Sequence, residues 1–172
     1  DVFTAAGPQL KLVANYAVGF DNVDLTAANA HNVVVTNTPV PGLGEAVADH
    51  ALALMLGLAH RIVEADTYAR AKKYKGWAPD LLIGTDFTKK TIGILGLGHI
   101  GIAVAKRAVK GFGLNCLYHS PTQDVKFEKS YGARFCSLET LLQESDFVTL
   151  HVPLLPSTRH LISTAEFAIM KK

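Results

Sequence analysis

The chain has 172 residues, of which 49% are apolar and 19% are charged. That balance excludes a disordered chain and is sufficient for one or two domains with buried cores. The net charge of +2 comes from scattered basic residues, which excludes an electrostatic footprint for nucleic acid. The longest apolar run, residues 51–59, is too short to cross a membrane. Cys116 and Cys136 form no CxxC pair or metal-ligand cluster, so we expect reduced thiols, no metal site and a cytoplasmic location.

The first forty residues predict a strand, a helix and a second strand. Residues 10–18 and 33–36 are short apolar runs with β-branched members, and both predict buried strands. Residues 24–32 between them predict a helix that has Asp24 as its N-cap. Prolines and glycines at residues 39–44 then interrupt the regular pattern.

A single long helix is predicted from about residue 45 to residue 75. Apolar residues such as Leu54, Leu58 and Ile62 recur at steps of three and four. Acidic residues lie near its start, and lysines followed by Gly76 lie at its end, as the helix dipole and C-cap preferences require. About 30 residues at 1.5 Å each would form a rod of roughly 45 Å. Such a length suits a connection between domains or a subunit interface.

Strands and helices alternate from residue 91 onward. Apolar runs predict four strands and helical periodicity predicts four helices, the last of which opens at Ser163 with a capping box completed by Glu166. The alternation predicts an α/β fold with a doubly wound parallel sheet of the Rossmann type, incomplete at four strands. The strands are residues 91–95, 114–118, 133–135 and 147–152, and the first three helices are residues 100–111, 125–131 and 138–144.

A glycine-rich loop of the form G-x-G-x-x-G follows the first of these strands at residues 96–101. In a strand–loop–helix context Gly96 permits a tight turn, and Gly98 allows the backbone to approach a pyrophosphate. Gly101 allows the helix to pack closely on the strand. The helix N-terminus supplies unpaired N–H groups and partial positive charge to the phosphates. The pattern predicts a dinucleotide site, and the alternative is a glycine-rich turn without a ligand.

The residues after the second strand of this sheet bear on the choice between NAD and NADP. Ser120 lies 19 residues beyond Gly101, where a carboxylate would favour NAD, and no acid stands there. The hydroxyl groups of Ser120 and Thr122 can donate to a 2′-phosphate, whereas Asp124 and Glu128 nearby would repel one. NADP is therefore favoured over NAD. The alternative is that Ser120 is an ordinary turn residue and that both nucleotides are accepted.

Several blocks of this sequence, in this order, resemble the D-isomer-specific 2-hydroxyacid dehydrogenases, and within them the glyoxylate/hydroxypyruvate reductase group. The resemblance implies an oxidoreductase that uses NAD(P)H to reduce a small 2-oxo acid such as glyoxylate or hydroxypyruvate. The blocks are NYAVGFDNVDL at residues 15–25, VVVTNTP at 33–39, EAVADHALALML at 45–56, YKGWAPDLLIGTDF at 74–87, KTIGILGLGHIG at 90–101 and SDFVTLHVPLLPSTRHLI at 145–162.

The resemblance also implies a domain organisation. Residues 1–40 would be the C-terminal tail of a flavodoxin-like substrate domain, and residues 41–76 a long connecting helix. Residues 77–172 would be a truncated dinucleotide-binding domain. A homodimer is expected to form through the helix region of residues 45–75, with a small 2-oxo or 2-hydroxy acid as the substrate and no nucleic acid or membrane partner.

Site residues follow from the same resemblance. Val18 and Gly19 match a loop whose backbone N–H groups bind the substrate carboxylate, which needs no charged side chain. His99, where the family commonly has Arg, and Ile100 match the residues that meet the pyrophosphate, and Ser120 matches the ribose-selecting position. The segment that would lie along the adenosine and ribose comprises Val152, Pro153 and Thr158.

No catalytic residue is assigned within the chain. In the family a His paired with an acidic residue acts as general acid and an Arg binds the substrate, a division suited to the charge that develops on the carbonyl oxygen. By the resemblance these three residues lie beyond Lys172, so the chain alone is expected to be inactive. The alternative is a non-catalytic scaffold that senses NAD(P)(H) or dimerises, as related corepressors do.

Overall fold

The computed structural model describes residues 2–40 and 42–172. It divides into two compact units, the first ending at Leu43 and the second running from Gly44 to Lys172. Asp1 and Pro41, which open two of the predicted segments, lie outside the described residues. The elements of the first unit are α1 (Val2–Ala6), β1 (Leu12–Ala14), α2 (Leu25–Ala30) and β2 (Val34–Thr36).

The second unit contains the predicted alternation of strands and helices. Its elements begin with a pair of helices and continue as a strand–helix series: α3 (Leu43–Ala59, which begins at the unit boundary), α4 (Ile62–Arg70), β3 (Thr91–Leu95), α5 (His99–Phe112), β4 (Asn115–His119), α6 (Val125–Tyr131), β5 (Arg134–Phe135), α7 (Leu138–Glu144), β6 (Phe147–Leu150) and α8 (Thr164–Ile169).

In the first unit β1 and β2 form a small parallel sheet. The predicted N-cap is confirmed, because the Asp24 carboxylate accepts a hydrogen bond of 2.9 Å from the Ala27 N–H at the start of α2. The strands are in the predicted places, but the prediction that they are buried is wrong, since Leu12 and Val34 are exposed, and each strand has only three residues. Only alternate residues face the small core, because successive side chains of a strand point to opposite faces.

In the second unit four parallel strands pair in the order β5-β4-β3-β6, which confirms the predicted sheet. Ile92 and Ile94 of β3 are fully buried in a core with α3 and α5, whereas Leu95 packs with Leu141 of α7. Helices therefore cover both faces of the sheet, which is why its central strands are continuous apolar runs. The last helix is confirmed as well, since the Ser163 N–H and hydroxyl both donate to the Glu166 carboxylate.

The single helix predicted over residues 45–75 is wrong. Two helices, α3 and α4, meet at a bend of 59°, and Arg61 between them has a left-handed φ of 53°. The cause is a contact distant in sequence: the Ala59 carbonyl accepts a hydrogen bond of 2.7 Å from the Thr85 N–H, and a Cβ at Gly84 would overlap that carbonyl. Among the described helices none is alone long and apolar enough to cross a membrane, and α3 and α4 meet those criteria only as a bent pair.

Candidate functional site

The carboxyl ends of three neighbouring strands form the candidate site in the second unit. β3 lies in the middle, with β4 on one side and β6 on the other. The ends are held together by backbone hydrogen bonds, from the Gly96 N–H to the His119 carbonyl (2.9 Å) and from the His151 N–H to the Leu95 carbonyl (2.7 Å). The chain order reverses at β3, and open parallel sheets bind ligands in the crevice at such a switch point.

Two glycines of the loop after β3 are required by the protein itself. Gly96 has a φ of +91°, and a Cβ there would lie 2.6 Å from the His151 carbonyl oxygen. A Cβ at Gly101 would overlap the carbonyl oxygen of Gly96. Gly96 therefore makes the turn next to β6, and Gly101 allows the first turn of α5 to pack against the strand end.

The remaining glycine of the pattern, Gly98, is not required by the backbone conformation or the packing of the protein. Its φ is −90°, which any residue can adopt, and a Cβ there would meet nothing within 4 Å. Gly98 is the N-cap of α5, a helix of 14 residues, whose first N–H groups have no partners within the helix. A glycine that the fold does not need, at a helix N-terminus, fits a pyrophosphate that approaches the backbone closely.

The two residues after Gly98 have different roles. His99 begins α5 and its side chain is exposed. Ile100 is half-buried and its side chain packs against the core shared with Ile94. Only the backbone of Ile100 would therefore be available to an anion.

The loop after β4 has a hydrogen-bond pattern that the sequence does not reveal. The Ser120 hydroxyl donates to the Thr122 carbonyl at 2.5 Å, so its proton is engaged within the loop and its lone pairs remain to accept. The rings of His119 and Phe135 are stacked, with their centroids 6.4 Å apart. The His119 Nδ1 lies 3.0 Å from the Cys136 carbonyl oxygen.

The two acidic residues near Ser120 are both used within the protein. The Asp124 carboxylate caps α6 by accepting from the Phe127 N–H at 2.9 Å. The Glu128 carboxylate accepts from the Tyr118 hydroxyl at 3.2 Å. Each of these carboxylates therefore accepts a hydrogen bond within the protein.

The segment after β6 closes the other side of the crevice. Val152 is half-buried, and its Cγ1 would lie 2.9 Å from a Cβ at Gly96, so it adjoins the glycine loop. Pro153 is exposed. The Thr158 hydroxyl donates to the Pro153 carbonyl at 2.5 Å and accepts from the Leu155 N–H at 2.8 Å. Thr158 therefore maintains the shape of this loop.

Val18 and Gly19 lie in an exposed loop of the first unit, after β1. Two asparagine side chains fix this loop: Asn15 donates to the Gly19 carbonyl (2.8 Å) and Asn37 donates to the Val18 carbonyl (2.9 Å). Sequence reasoning missed both asparagines, although each comes directly after the end of a strand, where Asn side chains often bond to nearby backbone.

Two other groups that could carry chemistry are held in their neutral forms. Burial lowers the pKa of His151, whose Nε2 lies 2.9 Å from the Thr149 hydroxyl. Burial also raises the pKa of the Cys116 thiol to about 12. Neither is suited to act as an acid or a nucleophile near neutral pH.

Comparison with known proteins agrees with this geometry. Residues 52–172 match the family described as D-isomer specific 2-hydroxyacid dehydrogenase, NAD binding domain. The chain belongs to that family. A glyoxylate reductase of Korarchaeum cryptofilum is 48% identical over 173 aligned residues, which cover 100% of this chain and 51% of the relative.

Solved structures of other proteins share the fold. The TT0316 protein from Thermus thermophilus superimposes with a TM-score of 0.88 at 44% identity, over 98% of this chain and 52% of that one. A D-lactate dehydrogenase from Aquifex aeolicus, complexed with NAD and lactic acid, gives a TM-score of 0.85 at 30% identity, over 97% and 49%. The chain thus spans about half the length of the proteins it matches, and residues 52–172 correspond to the family's NAD binding domain.

Proposed function

We propose that this chain is part of an NAD(P)H-dependent reductase of small 2-oxo acids, such as glyoxylate or hydroxypyruvate. The observation that carries the proposal is Gly98, a glycine that the fold does not require, at a helix N-terminus beside the switch point of the sheet. A relative named glyoxylate reductase, 48% identical to this chain, supports the choice of substrate class.

Each part of the chain has a role in this proposal. The tail of the substrate domain (residues 1–40) would present the backbone N–H groups of Val18 and Gly19 to the substrate carboxylate. Residues 41–76 would connect the domains, and residues 77–172 would bind the dinucleotide, which when bound supplies the hydride. The N–H groups at the start of α5 would hold the pyrophosphate, and the loop after β6 would lie along the ribose. The chain alone would be inactive, because it carries no assigned catalytic residue.

The preference for NADP over NAD is a finer part of the proposal. Its support is that Ser120, and no carboxylate, stands at the position where an acid would accept from a ribose 2′-hydroxyl, and that the nearby Asp124 and Glu128 carboxylates already accept hydrogen bonds within the protein. The hydrogen bond from the Ser120 hydroxyl to the Thr122 carbonyl weakens the expected preference for NADP, because a proton engaged in that bond is not donated to a 2′-phosphate. We expect both nucleotides to bind, with NADPH the tighter of the two.

A homodimer through residues 45–75 is supported by exposed apolar side chains on both helices of that region. Leu54 and Leu58 of α3 are 57% and 80% exposed, and Val63 of α4 is 75% exposed. Isolated exposed apolar residues are ordinary, but a set along adjoining helices is typical of an interface. The same surface would serve the alternative function, a non-catalytic scaffold that dimerises. The free thiols of Cys116 and Cys136 are compatible with the proposed cytoplasmic location.

The test is to replace Gly98 with Ala and to titrate the 172-residue chain with NADPH and NADH. A methyl group at this position meets open space in the protein, so the free energy of unfolding should not fall. If the pyrophosphate approaches the backbone there, a steric cost of about 1–3 kcal/mol would weaken the binding of both nucleotides by about fivefold to 150-fold.

The matched control is Gly111→Ala, later in the same helix, where a Cβ also meets nothing within 4 Å. It should leave both affinities unchanged. Equal affinities for the wild-type chain and Gly98→Ala would refute the assignment of the phosphate site, as would a wild-type chain that binds neither nucleotide.

A further inference from the structure

A buried tyrosine hydroxyl connects β4 to the loop that follows it. Tyr118 is fully buried, and its hydroxyl accepts a hydrogen bond of 2.8 Å from the Asp124 N–H. The same hydroxyl donates to the Glu128 carboxylate at 3.2 Å. Burial raises the pKa of Tyr118, and the Glu128 carboxylate raises it as well, so the hydroxyl keeps its proton at neutral pH.

The Glu128 carboxylate, which accepts from that hydroxyl, also accepts hydrogen bonds from the loop after β4 and from β5. Both of its oxygens lie 3.0 Å from the Gln123 side-chain nitrogen, which donates from within the loop. One oxygen also accepts from the Phe135 N–H of β5 at 3.2 Å. A single side chain of α6 is thus bonded to β4, to the loop and to β5.

These bonds fix the loop at residues 119–124 from both ends. The Tyr118 hydroxyl holds the backbone at Asp124, and the Ser120 hydroxyl closes the turn on the Thr122 carbonyl. These bonds fix donors and acceptors of the loop in place, although half of its residues are exposed.

We propose that Tyr118 and Glu128 are positioning residues that determine how well this protein distinguishes NADPH from NADH. This inference rests on the proposed function, in which the loop after β4 meets the ribose. The two nucleotides differ only in the 2′-phosphate, so discrimination depends on a fixed arrangement at this loop. A loop released from its bonds would adapt to either nucleotide, and the ratio of the two affinities would move toward one.

The principal experiment compares Tyr118→Phe with the wild-type chain in titrations with NADPH and NADH. The substitution removes one oxygen and leaves the buried ring, and with it the contacts of Tyr118 to Phe127 and Phe135. We expect the affinity ratio to move toward one by about threefold to tenfold, the effect of one or two hydrogen bonds. The matched control is Tyr131→Phe on α6, whose hydroxyl takes no part in this network, and it should keep the wild-type ratio.

Variants of Glu128 and Gln123 separate positioning from a general structural role. Glu128→Gln keeps an oxygen that can accept from the Tyr118 hydroxyl and should retain most of the discrimination, whereas Glu128→Ala should lose it. Gln123 is exposed, so Gln123→Ala should fold normally and shift the ratio in the same direction as Tyr118→Phe. This variant keeps the test decisive if the Tyr118 variant does not fold.

The outcomes distinguish this inference from the function on which it rests. A wild-type chain that binds neither nucleotide overturns the proposed function and the inference with it. A wild-type chain that binds both equally well overturns the inference together with the preference for NADPH, and it leaves the proposed dinucleotide site and reductase function standing. The inference is also overturned if the network variants weaken both nucleotides by the same factor, since that pattern describes a merely structural role.

Discussion

The two parallel sheets of this chain are built from similar apolar runs and are buried very differently. In the sheet β1–β2, Leu12 is 52% exposed and Val34 is 61% exposed. In the sheet β5-β4-β3-β6, the side chains of Ile92 and Ile94 are 0% exposed, and so is Leu95 on the opposite face. The difference arises from helices on both faces of the larger sheet. Burial of a strand is therefore determined by what covers it, and an apolar run alone does not reveal that.

The largest effect expected from this comparison is that of truncating one leucine in each unit. Leu141 of α7 is fully buried against Leu95 and Leu117, whereas Leu12 of β1 is half exposed. Leu141→Ala should lower the free energy of unfolding by about 2–5 kcal/mol, because it leaves a cavity in a dense core. Leu12→Ala should cost less than about 1 kcal/mol. Guanidinium unfolding followed by circular dichroism measures both values, and equal losses would contradict the contrast between the two sheets.

A smaller effect is expected at two glycines of α5 in the second unit. Gly101→Ala places a methyl group on the carbonyl oxygen of Gly96, so it should lower the free energy of unfolding by about 1–3 kcal/mol. Gly111→Ala meets nothing within 4 Å and should raise stability by up to about 1 kcal/mol, because alanine is the better helix former. Thermal unfolding of the two variants should shift in opposite directions. A shift in the same direction would mean that the close approach of α5 to the strand is not what requires Gly101.

Local signals in the sequence predicted the strand–helix series from residue 91 onward well. The apolar run of β3 and the glycines at Gly96 and Gly101 are local features with local causes, and the structure contains them as predicted. The capping residues Asp24 and Ser163 likewise act on backbone groups within three residues. Such interactions need no knowledge of distant parts of the chain.

The features that the sequence did not predict depend on contacts between different elements of the structure. The bend after Ala59 depends on the Thr85 N–H, 26 positions away by residue number. The engagement of Glu128 depends on Tyr118, Gln123 and the backbone of β5. Periodicity and composition contain no information on such pairings, so helix continuity and the availability of individual side chains could be learned only from the structure.

The smallest expected effect concerns the amino ends of the strands of the larger sheet, opposite the candidate site. One carboxylate there bonds to several parts of the second unit. Asp146, just before β6, accepts from the Thr91 N–H at 2.8 Å and lies 3.2 Å from the Lys171 ammonium and 3.7 Å from that of Lys90. Burial alone would raise its pKa, but the Thr91 N–H and the two lysines outweigh burial, and the pKa is lowered.

Because the folded-state pKa of Asp146 lies below the unfolded value, this carboxylate stabilises the fold above about pH 4, and that stability is lost as the pH falls through the lowered pKa. Asp146→Asn should therefore be less stable than the wild-type chain at pH 7, and the gap should close toward about pH 2. Thermal unfolding across that range measures the gap, with Asp80→Asn, at an exposed position, as the control. A gap that stays constant down to about pH 2 would assign the loss to the hydrogen-bond geometry of the side chain, and the charge of Asp146 would then have no part in holding this edge together.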